Sequence, residues 1–256
     1  MKIKYPLILV LTLLSFCSFA QKGNPVLIET FSETGCGACA AYDSAFQAVI
    51  KANTEKVVVI NYHCYYALDS LYQYNKICDQ KYGYYDIKGF PGAMINGQMP
   101  NSTSSHMTYI TSAVIDKHYN TEKQFDFNIT FKPKKNKENH SVDILINTTS
   151  LKESASQDLR LYVVITEDNI NYEKRFKIKS TNGKNDFSDI MRSYLPDSTG
   201  IPLNAYKAGM MSSNKVNYTN DDKNIDFKEV QVVVFVRDQT TKKILGVATK
   251  KDGMFN

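Results

Sequence analysis

Two cysteines separated by two residues, Cys36 and Cys39, are the side chains in this sequence best suited to covalent chemistry. They stand between an apolar, strand-like stretch over 26–31 and a helix-compatible run over 40–50. This placement puts the first thiol at a helix N-terminus, where unsatisfied backbone N–H groups and the helix dipole stabilise a thiolate. Because a thiolate is the attacking species in thiol–disulfide exchange, the motif predicts that Cys36 is the nucleophile and Cys39 the resolving thiol.

The same cysteine spacing occurs in half of a zinc site, which is the alternative chemistry for this motif. The other ligands would have to come from His63, Cys64 or Cys78, since the sequence holds no second closely spaced pair. The absence of a second closely spaced cysteine pair from the sequence and the predicted secretory leader both favour redox exchange over zinc binding. We therefore expect no metal and no other cofactor.

The first twenty residues predict a secretory signal peptide. A short basic start precedes an apolar run over 7–16, which is too short to span a membrane, and a small-x-small cleavage site ends at Ala20. Cys17 leaves an alternative, in which a lipoprotein signal is cut before this cysteine and the cysteine is acylated, although Phe16 stands where a small residue is preferred. We therefore expect an exported protein that contacts a membrane only if Cys17 is lipidated.

The charge balance argues against a nucleic-acid partner. Lys and Arg number 31 against 26 Asp and Glu, and cleavage of the leader would remove Lys2 and Lys4 and leave a net charge of +3, with 29 basic against 26 acidic residues. The densest basic run, over 132–137, is interrupted by a proline and fits a solvated hairpin tip better than a binding patch.

The pattern of apolar and polar residues changes near Asn120. Before it, apolar strand-like runs alternate with helical patterns, which is typical of an α/β domain. After it, several stretches alternate with period two between polar turns, which predicts an antiparallel sandwich. The sequence thus predicts a signal peptide over 1–20, an α/β domain over 21–122 and a β-sandwich domain over 123–256, with a long irregular stretch over 169–224.

The strand predicted over 56–62 is followed by His63 and Cys64. Reactive groups gather beyond the carboxyl ends of strands in open α/β sheets, so His63 is a candidate acid–base partner. The alternative is a strand-end histidine that is hydrogen-bonded to the backbone. Cys64 and Cys78 are expected to form a structural disulfide rather than remain free, because unpaired exposed thiols are a liability outside the cytoplasm.

Phe90 and Pro91 stand directly before a short apolar strand that ends in Asn96-Gly97, a hairpin signal. With this proline the order of elements over 26–120 resembles the thioredoxin fold. The resemblance implies that Pro91 is cis, faces the dithiol and binds substrate, while the backbone at Phe90 pairs with the incoming chain.

The sequence departs from the thioredoxin pattern at positions that usually support the dithiol. Gly35 stands where a bulky aromatic residue is common, and Thr30 stands where a buried acid is common. Glu29 is one place off, and strand alternation sends its side chain to the opposite face. A carboxylate proton shuttle for Cys39 is therefore in doubt, and Glu33 is interpreted as a solvated surface residue.

Two segments, 26–31 running into the Cys-Gly-x-Cys motif and 187–196 in the long middle stretch, resemble the 28-kDa outer membrane protein family of Gram-negative envelopes. The resemblance implies an α/β thioredoxin-like domain followed by an all-β immunoglobulin-like sandwich. It also implies a location in the periplasm, in the outer membrane or at the cell surface.

Two functions fit these observations. The first is an exported thiol–disulfide oxidoreductase whose partners are protein thiols and disulfides of the envelope, exchanged at Cys36 and Cys39. The alternative is an envelope or surface binding protein, or adhesin, in which the thioredoxin-like part is a scaffold and Cys36–Cys39 a static disulfide. Fold alone does not separate them.

Overall fold

The computed structural model describes residues 25–72, 76–121, 125–136, 138–204 and 207–250. The predicted signal peptide and Cys17 lie outside these residues. No helix within the described ranges is both long enough and apolar enough to cross a membrane.

The described residues form a mixed α/β, sheet-rich fold with few helices. The helices are α1 (Gly37–Ala52), α2 (Ile77–Tyr85), α3 (Ser112–Thr121) and the short α4 (Tyr172–Phe176), with a 3-10 turn over Met107–Tyr109. The strands are β1 (Val26–Ser32), β2 (Val57–His63), β3 (Gly92–Ile95), β4 (Phe127–Asn136), β5 (Ser141–Ser150), β6 (Leu159–Glu167), β7 (Ile170–Asn171), β8 (Asp186–Phe187), β9 (Ile190–Leu195), β10 (Ile201–Leu203), β11 (Met211–Thr219), β12 (Val230–Asp238) and β13 (Ile244–Lys250).

The alternating order predicted for residues 26–120 is confirmed. β1 and β2 lie parallel, with Val26 opposite Val57 and Ser32 opposite His63, and β3 pairs antiparallel with the other edge of β1. All of β1 and nearly all of β2 are buried, as expected for parallel strands that are covered on both faces. Because α1 is the crossover between β1 and β2, the Cys-Gly-Ala-Cys motif lies at the carboxyl end of β1.

One sheet runs through both predicted domains. β9 lies parallel to β2, with Ile190 opposite Asn61, and the backbone N–H of Asn61 donates to the carbonyl of Asp189 at 2.8 Å. This contact gives the continuous order β13-β12-β6-β9-β2-β1-β3, with β10 paired to β6. The strands around Cys36 and those of the β-rich half therefore share one hydrogen-bonded framework.

A second, three-stranded antiparallel sheet of order β11-β5-β4 covers part of the large sheet. Its inward side chains, such as Ile144 and Ile146, join a core with Leu161, Val232 and Val234 of β6 and β12. The period-two alternation after Asn120 predicted antiparallel strands, and the antiparallel pairings of β4, β5 and β11 and of β6 with β12 confirm that prediction.

The stretch over 169–224, predicted to be long and irregular, in fact supplies the strands β7 to β11. Its central strand β9 carries Arg192, whose Nε donates to the buried carboxylate of Glu167 at 2.8 Å. Arg175 of α4 binds the other oxygen of the same carboxylate at 2.7 Å. Glu167 thus ties α4 and β9 to β6 through charge pairs that have no periodic sequence signature.

A buried ion pair joins β1 to β12. Glu29 and Arg237 are both fully buried, and Nη2 of Arg237 donates to the two carboxylate oxygens of Glu29 at 2.9 and 2.7 Å. The hydroxyls of Tyr62 and Tyr85 donate to the same carboxylate at 3.0 and 2.5 Å. As strand alternation predicted, Glu29 faces this aromatic cluster rather than the side of β1 that carries Thr30.

Candidate functional site

The two cysteines of the motif form a disulfide with a Cα–Cα distance of 5.2 Å. Cys36 is the N-cap of α1, and its sulfur accepts the backbone N–H of Cys39 at 2.9 Å. Cys36 is half-buried, whereas Cys39 is only 7% exposed. An incoming thiol or disulfide therefore meets Cys36 first, and the donated N–H and the helix terminus are placed to stabilise a thiolate on it.

Tyr66 fills the space beside Gly35. A Cβ at Gly35 would lie 3.1 Å from the Tyr66 ring, closer than most side-chain contacts, so any larger residue would have to displace that ring. The Tyr66 hydroxyl lies 3.2 Å from the hydroxyl of Thr181. An aromatic ring thus flanks the dithiol even though position 35 itself has no side chain. No sequence signal separates Tyr66 from the neighbouring tyrosines.

A turn from the β-rich half holds the loop before α1 in place. The backbone N–H of Asn182 donates to the carbonyl of Thr34 at 2.8 Å, and its side-chain amide donates to the carbonyls of Glu33 and Cys36 at 3.3 and 3.2 Å. Nearby, Lys184 forms an ion pair with Asp43 of α1 at 2.6 Å. Sequence reasoning missed Asn182, because it lies 146 residues from Cys36 and belongs to no recognisable motif.

The Phe90–Pro91 peptide bond is cis, as the thioredoxin resemblance implied. The carbonyl of Pro91 accepts the N–H of Met107 at 3.1 Å, and β3 begins at the next residue, which pairs with Phe31 of β1. Phe90 is half-buried against the ring of Tyr82, with ring centroids 5.0 Å apart. These residues therefore lie beside the end of β1 that leads into the dithiol loop, and their role in substrate binding stays a prediction.

His63 is bound to a carboxylate. Its Nδ1 lies 2.5 Å from Oδ2 of Asp69, and the same carboxylate oxygen accepts the N–H of Thr34 at 2.9 Å. Burial alone would raise the pKa of Asp69, but His63 and the backbone N–H groups of Leu71 and Thr34 hold it below its usual value. Both side chains are buried, and through the N–H of Thr34 the pair supports the loop before Cys36. An acid–base role for His63 stays a prediction.

A small cavity lies against Cys39, the more buried cysteine. Its volume of about 20 Å³ has room for one water molecule, and its lining includes Thr30, Glu33 and Asp43. The pKa of Glu33 is raised, chiefly by burial and also by the charge of Asp69, while His63 opposes the shift. The interpretation of Glu33 as a solvated surface residue was wrong, because its side chain is half-buried and lines the cavity against Cys39.

Cys64 and Cys78 are free, buried thiols, so the predicted structural disulfide is not present. The Cys64 sulfur lies 3.7 Å from the carbonyl of Tyr62 and is hydrogen-bonded to Cys78. Burial is the main cause that raises the pKa of Cys64 above its usual value. The prediction assumed exposed thiols, whereas both of these lie in the core, where burial shields them from reagents.

We expect neither Cys64 nor Cys78 to react with iodoacetamide in the native protein. Both should be alkylated after unfolding in guanidinium without any reductant, while Cys36 and Cys39 require reduction first. Peptide mass mapping of the four cysteines measures this pattern. A Cys64–Cys78 peptide that stays linked until reductant is added would contradict it.

Within the described ranges, no group of three or more His, Cys, Asp or Glu side chains is arranged to hold a metal ion.

Comparisons with known proteins agree with the envelope resemblance. A family model described as outer membrane protein Omp28 matches residues 78–254. HBP35 of Porphyromonas gingivalis superposes with a TM-score of 0.69 at 17% identity, covering 89% of this chain and 75% of that chain. A crystal structure of a protein from Agrobacterium tumefaciens gives a TM-score of 0.54 at 16% identity, covering 90% and 95%. At these identities the likeness concerns the fold.

A third solved structure is described as a domain of the outer membrane lipoprotein Omp28 from Porphyromonas gingivalis. It covers 50% of this chain and 88% of that chain at 14% identity, with a TM-score of 0.31 that is too low to bear on the fold. No curated protein matches the chain.

Proposed function

Because the chain belongs to the outer membrane protein Omp28 family and so to the exported proteins of the cell envelope, we propose that it exchanges disulfides with other envelope proteins. The observation that carries the proposal is the asymmetry of the dithiol. Cys36 is half-buried at the N-terminus of α1 with the N–H of Cys39 on its sulfur, and Cys39 is buried behind it. This is the arrangement that an attacking and a resolving thiol require.

The exchange proceeds in two balanced steps. A thiolate of the partner attacks the Cys36 sulfur, the Cys36–Cys39 bond breaks, and Cys39 leaves as a thiolate that takes up a proton. A second thiolate of the same partner then attacks the partner sulfur that is bonded to Cys36. The partner gains an internal disulfide, and Cys36 leaves as a thiolate. Two electrons pass from the partner to the protein, and the same steps in reverse reduce a partner disulfide.

An aromatic surface beside the dithiol suits an extended polypeptide as substrate. Phe90 contacts Tyr82, and Tyr82 contacts Tyr65 edge-to-face at 5.1 Å. Tyr65 is 54% exposed, so it offers a ring face to a partner, while its hydroxyl donates to the carbonyl of Asp79 at 3.2 Å. The proposal places substrate along these rings and against the backbone at Phe90 and Pro91. It treats residues 26–120 as a thioredoxin-like scaffold and the β-rich half as an immunoglobulin-like sandwich for binding or tethering.

The second candidate function is an envelope binding protein with a static disulfide. It is favoured by the hydrogen bonds of Asn182 to the carbonyls of Glu33 and Cys36, which hold the motif from the β-rich half. The Tyr66 ring packed on Gly35 encloses the motif further. A dithiol that is held in this way has less freedom to open when a partner attacks.

A trapping experiment separates the two functions. Cys39→Ser should accumulate mixed disulfides on Cys36 in envelope fractions, because the resolving thiol is gone. The matched control, Cys36→Ser, should trap nothing, since the freed Cys39 is only 7% exposed and Cys64 and Cys78 are buried. Adducts would be read on non-reducing gels, lost on reduction and mapped by mass spectrometry.

The wild-type protein should in parallel be reduced by a dithiothreitol redox buffer at a measurable potential. Absence of adducts on Cys39→Ser, together with a wild-type disulfide that such buffers do not reduce, would contradict exchange and favour the static-disulfide function.

A further inference from the structure

Lys81 of α2 is a buried amine that the dithiol chemistry does not use. Its side chain is only 5% exposed. Its Nζ lies 4.7 Å from the ring centroids of Tyr162 and Tyr194 and 5.7 Å from that of Tyr84, and it donates to the carbonyl of Ser198 at 3.3 Å. Among the described residues, no carboxylate forms an ion pair with it. A buried lysine without a counter-ion is rare in proteins.

The surroundings favour the uncharged form of this amine. Burial and the positive charge of Arg237 lower the pKa of Lys81 to about 7, against an opposing effect of Glu29. The Glu29 carboxylate is committed to Arg237 at 2.7 Å. The aromatic rings favour a cation, but Arg237 lies over Tyr84 and Tyr162 as well, so two cations share these ring faces.

A cavity of about 340 Å³ that opens to solvent is lined by Lys81 together with Gln80, Tyr84 and Tyr162. Its walls carry further polar groups that are held in place: the Arg160 guanidinium binds Asp158 at 2.7 Å, and Gln239 donates to the Tyr162 hydroxyl at 2.8 Å. An aromatic-walled cavity with a few fixed polar groups and one perturbed amine is typical of a small-molecule site.

We propose that Lys81 is a carbonyl-reactive amine that binds a small aldehyde or ketone in this cavity as an imine. The Nζ lone pair attacks the carbonyl carbon, the C=O π electrons move to oxygen, and one proton passes from nitrogen to that oxygen to give a neutral carbinolamine. Nitrogen then loses its second proton, the hydroxyl group takes up a proton and leaves as water, and the C=N bond forms. Water is the only by-product, so no oxidant or reductant takes part. The proposal is independent of the disulfide exchange.

Glyoxylate with cyanoborohydride tests the proposal on the mature full-length protein at pH 7. Reduction of an imine leaves a carboxymethyl group that tryptic mass mapping assigns to a single lysine. We expect Lys81 to be modified roughly tenfold faster than exposed Lys51 of α1, because burial lowers the pKa of Lys81 to about 7 and leaves much of its amine uncharged at this pH. In guanidinium the two rates should become similar.

Two tryptophan variants test whether the cavity is the access route. Gln80→Trp should slow modification of Lys81 by covering the cavity. The matched control, Leu145→Trp at an exposed position of β5 that does not line the cavity, should leave it unchanged, and neither variant should affect Lys51. Equal rates at Lys81 and Lys51 in the native wild-type protein would overturn the proposal. So would rapid modification of Lys81 that Gln80→Trp does not slow, since the carbonyl compound would then not occupy the cavity.

Discussion

Arg237→Met is expected to lower the free energy of unfolding by about 3–5 kcal/mol, because it leaves the Glu29 carboxylate buried without its cation. Burial opposes the charge on Arg237, yet Glu29 and the surrounding tyrosines hold its pKa well above the usual value. The tyrosines on the carboxylate are neutral donors whose own pKa values are raised by burial, so they cannot replace the lost cation.

Urea unfolding followed by circular dichroism measures this loss. The double variant Glu29→Gln with Arg237→Met should recover much of it, since a neutral amide in the same place still accepts from Tyr62 and Tyr85. The matched control is Lys88→Met, which removes the exposed ion pair with Asp86 and should change little. A cost for Arg237→Met below about 1 kcal/mol would contradict the argument.

The ion pair also predicts how the protein unfolds. Glu29 lies on β1, the strand that leads into the dithiol loop, and Arg237 lies on β12 of the β-rich half, and the same large sheet contains both strands. Loss of the pair should therefore lower the midpoint of one cooperative transition that both near- and far-ultraviolet signals follow. Two separate transitions, with only one shifted by Arg237→Met, would mean that the halves unfold independently.

Local signals predicted the part of the fold that surrounds the cysteines. The apolar run of β1, the helical pattern after Cys39 and the turn at Asn96-Gly97 each act over a few residues, so strand, helix and hairpin could be placed from them. The helix N-terminal position of Cys36 followed from the same junction. The cis bond at Pro91 needed the thioredoxin resemblance as well.

The contacts that complete the site act over long sequence distances and leave no local pattern. Asn182 reaches Cys36 across 146 residues, and Arg237 reaches Glu29 across 208. Burial could not be predicted either. The predicted disulfide assumed that Cys64 and Cys78 are exposed, and the predicted solvation of Glu33 assumed an exposed carboxylate. The burial of all three side chains depends on how the β-rich half packs against the first half.

Glu33→Gln is expected to slow the release of a mixed disulfide from Cys36 by roughly 100-fold, the lower end of what a positioned general base contributes. Cys39 must lose its proton to attack the Cys36 sulfur, and it lies on the one-water cavity that Glu33 also lines. The raised pKa of Glu33 makes it a better proton acceptor than an ordinary carboxylate. Asp43 lines the same cavity, but its carboxylate is engaged in the ion pair with Lys184 at 2.6 Å, so Glu33 is the better candidate for the proton acceptor.

The reaction of the reduced protein with Ellman's reagent measures this step. The first thionitrobenzoate is released when Cys36 reacts, and the second when Cys39 resolves the mixed disulfide. Only the second phase should slow in Glu33→Gln, and the matched control Asp43→Asn should change it less than about threefold. In the wild-type protein the second phase should slow as the pH falls through the raised pKa of Glu33, because the carboxylate form accepts the proton.

This pH dependence should be absent from Glu33→Gln. An unchanged second phase with the wild-type pH profile would remove Glu33 from the mechanism. It would not remove the exchange itself, because adducts trapped on Cys39→Ser test Cys36 alone. The two experiments therefore separate the attacking thiol from the group that activates the resolving thiol. They also test whether a loop residue supplies the proton acceptor that Thr30 cannot.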